Sequence, residues 1–322
     1  MSKVIISFSE VSDETAFTEI KDGTMPDFDP DIFGKIENNQ LSELVERIKS
    51  KTLPLLPDLI SFEHPYRGIS ATDLFSLNTL LGSTIENTVV RFLNEHRHLW
   101  DPQNEWQDYR FIRSSEFFPD VRLTHQTTKD ILFGIELKSW FLLSKEGEPS
   151  FRYKTASSAC THADLLCVLP WYLEEAVSGI PVLTTPWIYS AKAASEACKR
   201  HWTYRKTDTP KALSERTVQE PENITPYNDS REQNNYSPVG DNAGNFGRLA
   251  RTGIMDEFVK VSLDTDVLGI PARNWMRFLK AHTDKKTLEQ IKKNIDTIVN
   301  IPNNKHFQKI IKELQDYIEQ FN

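Results

Sequence analysis

One apolar stretch, residues 131–143, most constrains what this chain can fold into, because it contains two charges of opposite sign, Glu136 and Lys138. Side chains of an extended strand alternate between its two faces, so Glu136 and Lys138 share one face. Ile135 and Leu137 point from the other face into a core. A carboxylate and an ammonium on an apolar strand cost desolvation free energy unless they are paired, bound to a metal or placed at the rim of a cleft. The stretch therefore predicts a core strand with a chemically active face.

The sequence before this stretch predicts a helix followed by a meander of strands. Residues 70–98 carry apolar side chains at helical spacing, with Ser70 or Thr72 available as an N-cap. Strand-like stretches follow at 109–113 and 121–126, separated by short polar links. The order helix, strand, strand, strand indicates an α/β fold.

Asp120 stands beside Pro119 at the start of the strand before Glu136, and it lies opposite Glu136 if residues 127–129 form a hairpin turn. Two converging carboxylates make an oxygen-rich site for Mg²⁺, a hard cation usually held by one or two carboxylates together with waters and phosphate. Such an ion polarises a phosphodiester and lowers the pKa of its bound water, while a nearby lysine orients or deprotonates that nucleophile. The residue types therefore predict metal-dependent hydrolysis.

Pro119 and Asp120, followed after fifteen residues by Glu136, Leu137 and Lys138, resemble the PD-(D/E)XK signature of many restriction endonucleases and some repair nucleases. The resemblance implies an α/β fold with a restriction-endonuclease-like core, in which a mixed central β-sheet is flanked by helices. Residues 70–169 offer the family's order of elements. Added helical segments are expected at the N- and C-terminal sides of this core.

The resemblance also implies a role for each residue of the motif. Asp120, Glu136 and the carbonyl oxygen of Leu137 are expected to ligate Mg²⁺, and Lys138 to act on the attacking water. A glutamate of the first core helix often assists in the family, and Glu86 is the matching candidate in this sequence.

The expected reaction is hydrolysis of double-stranded DNA, and a type II restriction endonuclease acting as a homodimer on palindromic sites is the preferred member of the family. Two alternatives remain open: a repair or recombination nuclease with the same site, and a non-catalytic DNA-binding relative. The motif is short, so a purely structural interpretation also stands beside it. In that interpretation Asp120 lies in a surface turn, and Glu136 and Lys138 form an ion pair on an edge strand.

Five basic residues are candidates for binding DNA. Lys192, Lys199 and Arg200 are followed by aromatic residues, which is typical of a surface that tracks a phosphate backbone. Arg248 and Arg251 follow a glycine-rich stretch and are candidates for the DNA backbone or guanine edges. A solvated helix face and ordinary exposed arginines explain the same pattern.

The net charge of −8 does not exclude a phosphate partner, because it is unevenly distributed. Residues 1–65 contain 13 acids and 6 bases, whereas the rest of the chain is nearly neutral. A nuclease also needs carboxylates to hold its metal ion.

Other classes of site find no support in the sequence. Cys160, Cys167 and Cys198 lack paired spacing, so they indicate buried thiols rather than disulfides or a zinc site. The chain contains no P-loop, no HExxH and no GxSxG. It has no long apolar run and no secretion signal, so we expect a cytoplasmic protein.

The rest of the chain is less informative. We expect an acidic N-terminal extension at 1–69, the nuclease core at 70–202, a polar loop or insertion at 203–246 that lacks a core of its own, and a mainly helical C-terminal region at 247–322. Predicted elements outside the motif are a leader helix at 41–48 before a break at Pro54 to Pro57, strands at 163–169 and 181–189, a helix at 191–202, a flexible glycine-rich end at 240–247, and two helices over 288–318.

Overall fold

The computed structural model describes residues 35–68, 77–204, 217–229, 234–241 and 244–281, with single positions at 287, 289, 290, 292, 293 and 312. The start of the acidic leader, the predicted caps Ser70 and Thr72, and nearly all of the helices predicted over 288–318 lie outside these residues. Within the ranges just given, no helix is long and apolar enough to cross a membrane.

Along the described chain, four helices precede the six strands of the central sheet, and shorter strands and three further helices follow. The helices are α1 (Asn39–Arg47), α2 (Leu56–Leu59), α3 (Leu77–Glu95), α4 (Arg97–Trp100), α5 (Ala191–Tyr204), α6 (Asp256–Ser262) and α7 (Ala272–Ala281). The strands are β1 (Tyr109–Arg113), β2 (Val121–His125), β3 (Ile131–Phe141), β4 (Leu165–Leu173), β5 (Pro181–Leu183), β6 (Trp187–Ser190), β7 (Val218–Gln219), β8 (Ser237–Pro238), β9 (Asp266–Val267) and β10 (Ile270–Pro271).

The central sheet is mixed and is flanked by helices, which confirms the predicted α/β class. Strands β1, β2 and β3 form an antiparallel meander after α3, as predicted. Strand β4 then runs parallel to β3, so the chain has to cross back between them. Both β5 and β6 pair antiparallel with the free side of β4.

The single strand predicted at 181–189 is wrong in detail, because two short strands occupy this range. β5 pairs with the end of β4, and β6 pairs with its beginning. Three residues, 184–186, separate the two strands, and they oppose only two residues of β4. Pro170 on β4 and Pro186 in the separating stretch have no N–H to donate, so a continuous ladder cannot form there.

One hydrophobic core joins the sheet to helices from both ends of the described chain. Ile135 and Leu137 of β3 are buried with α3 residues, as the strand periodicity predicts. The leader helix is confirmed as α1, but the helical path does not break at Pro54 to Pro57 after it. The chain continues through a π-turn and a 3₁₀-turn into α2, because Pro54 and Pro57 occupy first-turn positions that need no N–H partner.

Residues 203–246 pack against other parts of the chain where the structure describes them, and their lack of a core within the segment stays a prediction. Ala156, Trp202, Tyr236 and Phe246 form a second buried cluster, and β7 pairs with β8 beside it. The glycine-rich end is packed rather than loose in its described part, since Phe246 is 1% exposed and its N–H donates to Asp241. Isolated aromatic residues in a polar sequence leave no periodic pattern, so this cluster gave no signal. The three cysteines are free and buried, as predicted.

Candidate active site

The β2–β3 hairpin brings Asp120 opposite Glu136. Val121 pairs with Ile135, so the next position outward sets Asp120 beside Glu136. The Leu137 N–H donates a hydrogen bond of 2.8 Å to Oδ2 of Asp120, which fixes this carboxylate against β3. The turn is closed by the His125 N–H, which donates to the Asp130 carbonyl at 2.9 Å. The predicted hairpin is therefore confirmed.

Lys138 completes the group of charges on this face. Its Nζ donates to Oε1 of Glu136 at 2.5 Å and lies 4.0 Å from Oδ2 of Asp120. The side chains of Lys138 and Asp120 are each 21% exposed, whereas that of Glu136 is 9% exposed, so the cluster opens to solvent on one side. The edge-strand interpretation is wrong, because β3 lies between β2 and β4.

Two carboxylates compete for one ammonium in this cluster. Burial and the charge of Glu136 raise the pKa of Asp120 to about 8, against the opposing effects of Lys138 and the Leu137 N–H. Burial alone would lower the pKa of Lys138, but the charges of Glu136 and Asp120 outweigh it and raise that pKa. Lys138 is therefore an ammonium ion that cannot neutralise both carboxylates.

The residues present fit a divalent cation. Oε2 of Glu136 is buried and has no hydrogen-bond partner, although such an oxygen normally has one. Together with Asp120 it offers the hard oxygen ligands that Mg²⁺ prefers. Over the described part of the chain, no group of three or more His, Cys, Asp or Glu side chains is arranged to hold a metal. The site therefore offers two carboxylates, and the resemblance implies the Leu137 carbonyl as a further ligand.

Gly134 lets the two motif strands approach each other closely. A Cβ added to Gly134 would lie 2.0 Å from Cγ of Pro119 and 2.9 Å from the Val121 carbonyl oxygen. The Pro119 ring therefore packs directly on the backbone of β3, two residues before Glu136, and the Phe118–Pro119 peptide is cis. A glycine inside an apolar strand is a sequence signal of such a close backbone approach.

Glu86 lies near the cluster but is engaged elsewhere. Its Oε2 accepts a hydrogen bond of 2.8 Å from Nε of Arg113 and lies 2.8 Å from Nη2 of the same guanidinium. Arg113 pairs with Val121, the residue after Asp120. The negative charge of Glu86 is close enough to contribute to the raised pKa of Asp120. An assisting role for Glu86 stays a prediction.

Two buried polar residues beside the site were missed. The Arg122 side chain is 8% exposed, and it donates to the Phe118 carbonyl at 2.8 Å and to Oδ1 of Asp229 at 3.1 Å. Asp164 is fully buried, and its Oδ1 accepts from the Gly134 N–H at 2.7 Å. The available signal was a charged residue within an apolar strand, for Arg122, and directly before one, for Asp164.

The five candidate DNA-binding residues take no part in the hydrogen bonds among Asp120, Glu136 and Lys138. Lys192, Lys199 and Arg200 are on α5, where Lys199 forms an ion pair with Glu220. Arg248 pairs with Glu146, and Arg251 pairs with Glu148, each at 3.1 Å. Their role in binding DNA stays a prediction.

No protein family, curated protein or solved structure matches this chain.

Proposed function

We propose that this protein is a Mg²⁺-dependent endonuclease of the PD-(D/E)XK kind that hydrolyses phosphodiester bonds of double-stranded DNA. The observation that carries the proposal is the convergence of Asp120, Glu136 and Lys138, with Nζ of Lys138 2.5 Å from one carboxylate and 4.0 Å from the other. The resemblance of the motif supplies the substrate and the reaction. The unpartnered Oε2 of Glu136 supports the metal requirement.

Each residue of the cluster then has a defined task. Asp120, Glu136 and the Leu137 carbonyl hold the cation, which when bound supplies Lewis-acid polarisation of the phosphodiester and a more acidic water. The ammonium of Lys138 orients the attacking water through its N–H donors and offsets negative charge that develops on the phosphate. The Leu137 N–H keeps the Asp120 carboxylate aimed at the cluster, since it already donates to Oδ2.

Within this proposal the enzyme is a type II restriction endonuclease. A homodimer presents two equivalent sites related by a two-fold axis, which matches the symmetry of a palindromic duplex and allows both strands to be cut. The basic residues of α5 and the pair Arg248 and Arg251 are then the first candidates for contacts with the DNA backbone.

Incubation of the purified protein with supercoiled plasmid and MgCl₂ tests the function. Discrete fragments that end at one sequence support a restriction enzyme, whereas cleavage at nicks, flaps or junctions alone identifies a repair nuclease instead. Binding without cleavage, in Mg²⁺ and in Mn²⁺, identifies the non-catalytic relative. The matched variants are Lys138→Ala and Lys129→Ala, because Lys129 lies in the exposed turn of the same hairpin. Only the first should lose cleavage.

A further inference from the structure

Asp164 is a fully buried carboxylate that accepts hydrogen bonds from three directions. Oδ1 accepts from the Gly134 N–H at 2.7 Å and from the Tyr227 hydroxyl at 2.8 Å, while Oδ2 accepts from the Thr161 N–H at 2.7 Å. Its main-chain carbonyl accepts from the Ala191 N–H, where α5 begins. A buried carboxylate is costly unless its oxygens are satisfied, and these contacts satisfy both of them.

The contact with Gly134 lies where β3 would otherwise lack a partner. Strand β4 pairs with β3 only from Ile135 onward, opposite Leu165. Oδ1 of Asp164 therefore takes the place of a β4 carbonyl for the Gly134 N–H. Because the Pro119 ring packs directly on Gly134, this bond holds the residue at which the two motif strands touch.

The other end of the network is residues 217–229, which we call the brace. Tyr227 of the brace donates to Asp164 and is 3.2 Å from Oγ1 of Thr161. Asp229 of the brace accepts from Arg122, and Arg122 donates to the Phe118 carbonyl. The brace therefore reaches the backbone at two points.

These two points are equivalent in the motif. Gly134 precedes Glu136 by two residues, and Phe118 precedes Asp120 by two residues. One route runs from Tyr227 through Asp164 to Gly134, and the other runs from Asp229 through Arg122 to Phe118. A segment needed only for packing has no reason to reach the same position ahead of each carboxylate.

We propose that Asp164, Arg122 and the brace residues Tyr227 and Asp229 are positioning residues, which set the separation of the Asp120 and Glu136 carboxylates. The inference rests on the proposed function, since it gives that separation a purpose in holding the cation. Residues that orient metal ligands through hydrogen bonds change metal affinity or activity by about 10–100-fold when they are replaced. The expected effect of losing one contact is at the lower end of this range.

Tyr227→Phe and Tyr236→Phe make a matched pair for the test. Each change removes one hydroxyl from a hydrogen-bonded tyrosine of the polar region, but Tyr236 bonds to Ser157 and Glu196 and does not reach β3. We expect similar losses in melting temperature. Only Tyr227→Phe should lower kcat about ten-fold, raise the half-saturating Mg²⁺ concentration and leave KM for DNA unchanged. Equal kinetics in the two variants would overturn the inference.

Asp229→Asn is a second variant, which weakens the contact with Arg122 and leaves the hydrogen bonds of Asp164 intact, since the exposed Asp229 side chain does not reach them. It should raise the Mg²⁺ requirement in the same direction, and the double variant with Tyr227→Phe should show the larger shift. Calorimetric titration of MgCl₂ into the protein without DNA gives a readout that does not depend on cleavage. If the wild type binds Mg²⁺ but cuts no DNA, the proposed function fails, while weaker binding in Tyr227→Phe still supports the brace. If Mg²⁺ binding is identical in wild type and Tyr227→Phe, the brace fails.

Discussion

The β2–β3 hairpin and the brace meet at the same site, but they are built from different kinds of contact. In the hairpin, backbone register sets Asp120 opposite Glu136, and the buried side chain of Ile135 holds the strand in place. The brace reaches the site through the side chains of Tyr227 and Asp229 alone. Regular backbone structure therefore brings Asp120 and Glu136 together, whereas side-chain hydrogen bonds set the separation of their carboxylates. Changes in the hairpin should therefore have the larger effects.

The largest effect is expected from the charged residues of the hairpin. Under the proposed function, Asp120→Ala and Lys138→Ala should each lower the cleavage rate by about a thousand-fold or more, because Asp120 would hold the cation and Lys138 would act on the attacking water. They should differ in binding, since only Asp120→Ala would remove a ligand of the cation. A fluorescence-anisotropy titration should show that the gain in DNA affinity with Mg²⁺ persists in Lys138→Ala and disappears in Asp120→Ala. A well-folded Lys138→Ala protein that cuts at the wild-type rate would contradict the assignment.

Gly134→Ala tests the close approach of the two strands. The new methyl group would meet Cγ of Pro119 at 2.0 Å, so we expect a loss of about 1–3 kcal/mol in the free energy of unfolding and a lower cleavage rate. Gly82→Ala is the control, because a Cβ at Gly82 on α3 meets nothing within 4 Å. It should stabilise the protein by about 0.5–1 kcal/mol. Urea denaturation measures both, and equal midpoints would show that the strands can separate without cost.

Asp164 should give the stability of the protein a pH dependence. Burial raises its pKa to about 6, against hydrogen bonds from Thr161, Tyr227 and Gly134. Between the unfolded value of about 4 and this raised value, the folded protein keeps a proton that the unfolded chain releases. Stability from this group therefore falls as the pH rises from about 4 to 6 and is constant above that window.

The comparison of wild type with Asp164→Asn isolates this contribution. The wild type should lose about 2 kcal/mol relative to the variant between pH 4 and pH 6. Asparagine keeps an acceptor oxygen but turns an NH₂ group toward the Thr161 N–H, so the variant should be less stable overall. Denaturation curves collected across this range give the difference directly. Parallel stability curves would show that Asp164 titrates alike in both states.

The smallest effects on stability are expected from Arg248→Ala and Arg251→Ala. Their ion pairs with Glu146 and Glu148 are at the surface, so each change should cost less than about 1 kcal/mol. If these arginines bind the DNA backbone, each change should also reduce the salt dependence of binding by about one phosphate contact. Lys260→Ala is the control, since Lys260 pairs with Glu257 on the exposed face of α6. If the wild type and all three variants show the same salt dependence of binding, neither arginine contacts the DNA backbone.

The difference between the two regions also explains how much the sequence could predict. Alternation of apolar and charged residues is a local signal. It therefore predicted that Glu136 and Lys138 share one face of a strand and that Asp120 lies opposite Glu136. The bonds of the brace join residues 63 and 107 positions apart, and no local period marks such pairs. A tyrosine in a polar stretch looks the same whether it is solvated or bonded to a buried carboxylate.

Errors in the predicted elements have the same origin. The single strand at 181–189 was inferred from its apolar character, which does not take account of the missing N–H donors of Pro170 and Pro186. The packing of 203–246 was not predicted either, because Tyr236 and Phe246 pack against Ala156 and Trp202 from elsewhere in the chain. In both cases the deciding residues are distant from each other in sequence.

The distance along the chain between Asp164 and Tyr227 has a consequence for the time at which the site is completed. The turn between β2 and β3 closes within a few residues, and such hairpins form on the microsecond scale. The Tyr227 contact has to close a loop of 63 residues, and contacts of long range in sequence slow folding. During synthesis the hairpin therefore leaves the ribosome first, and the network around Gly134 is finished only after residue 227 has emerged. A chain that is still being made carries the charged hairpin without its full set of supports.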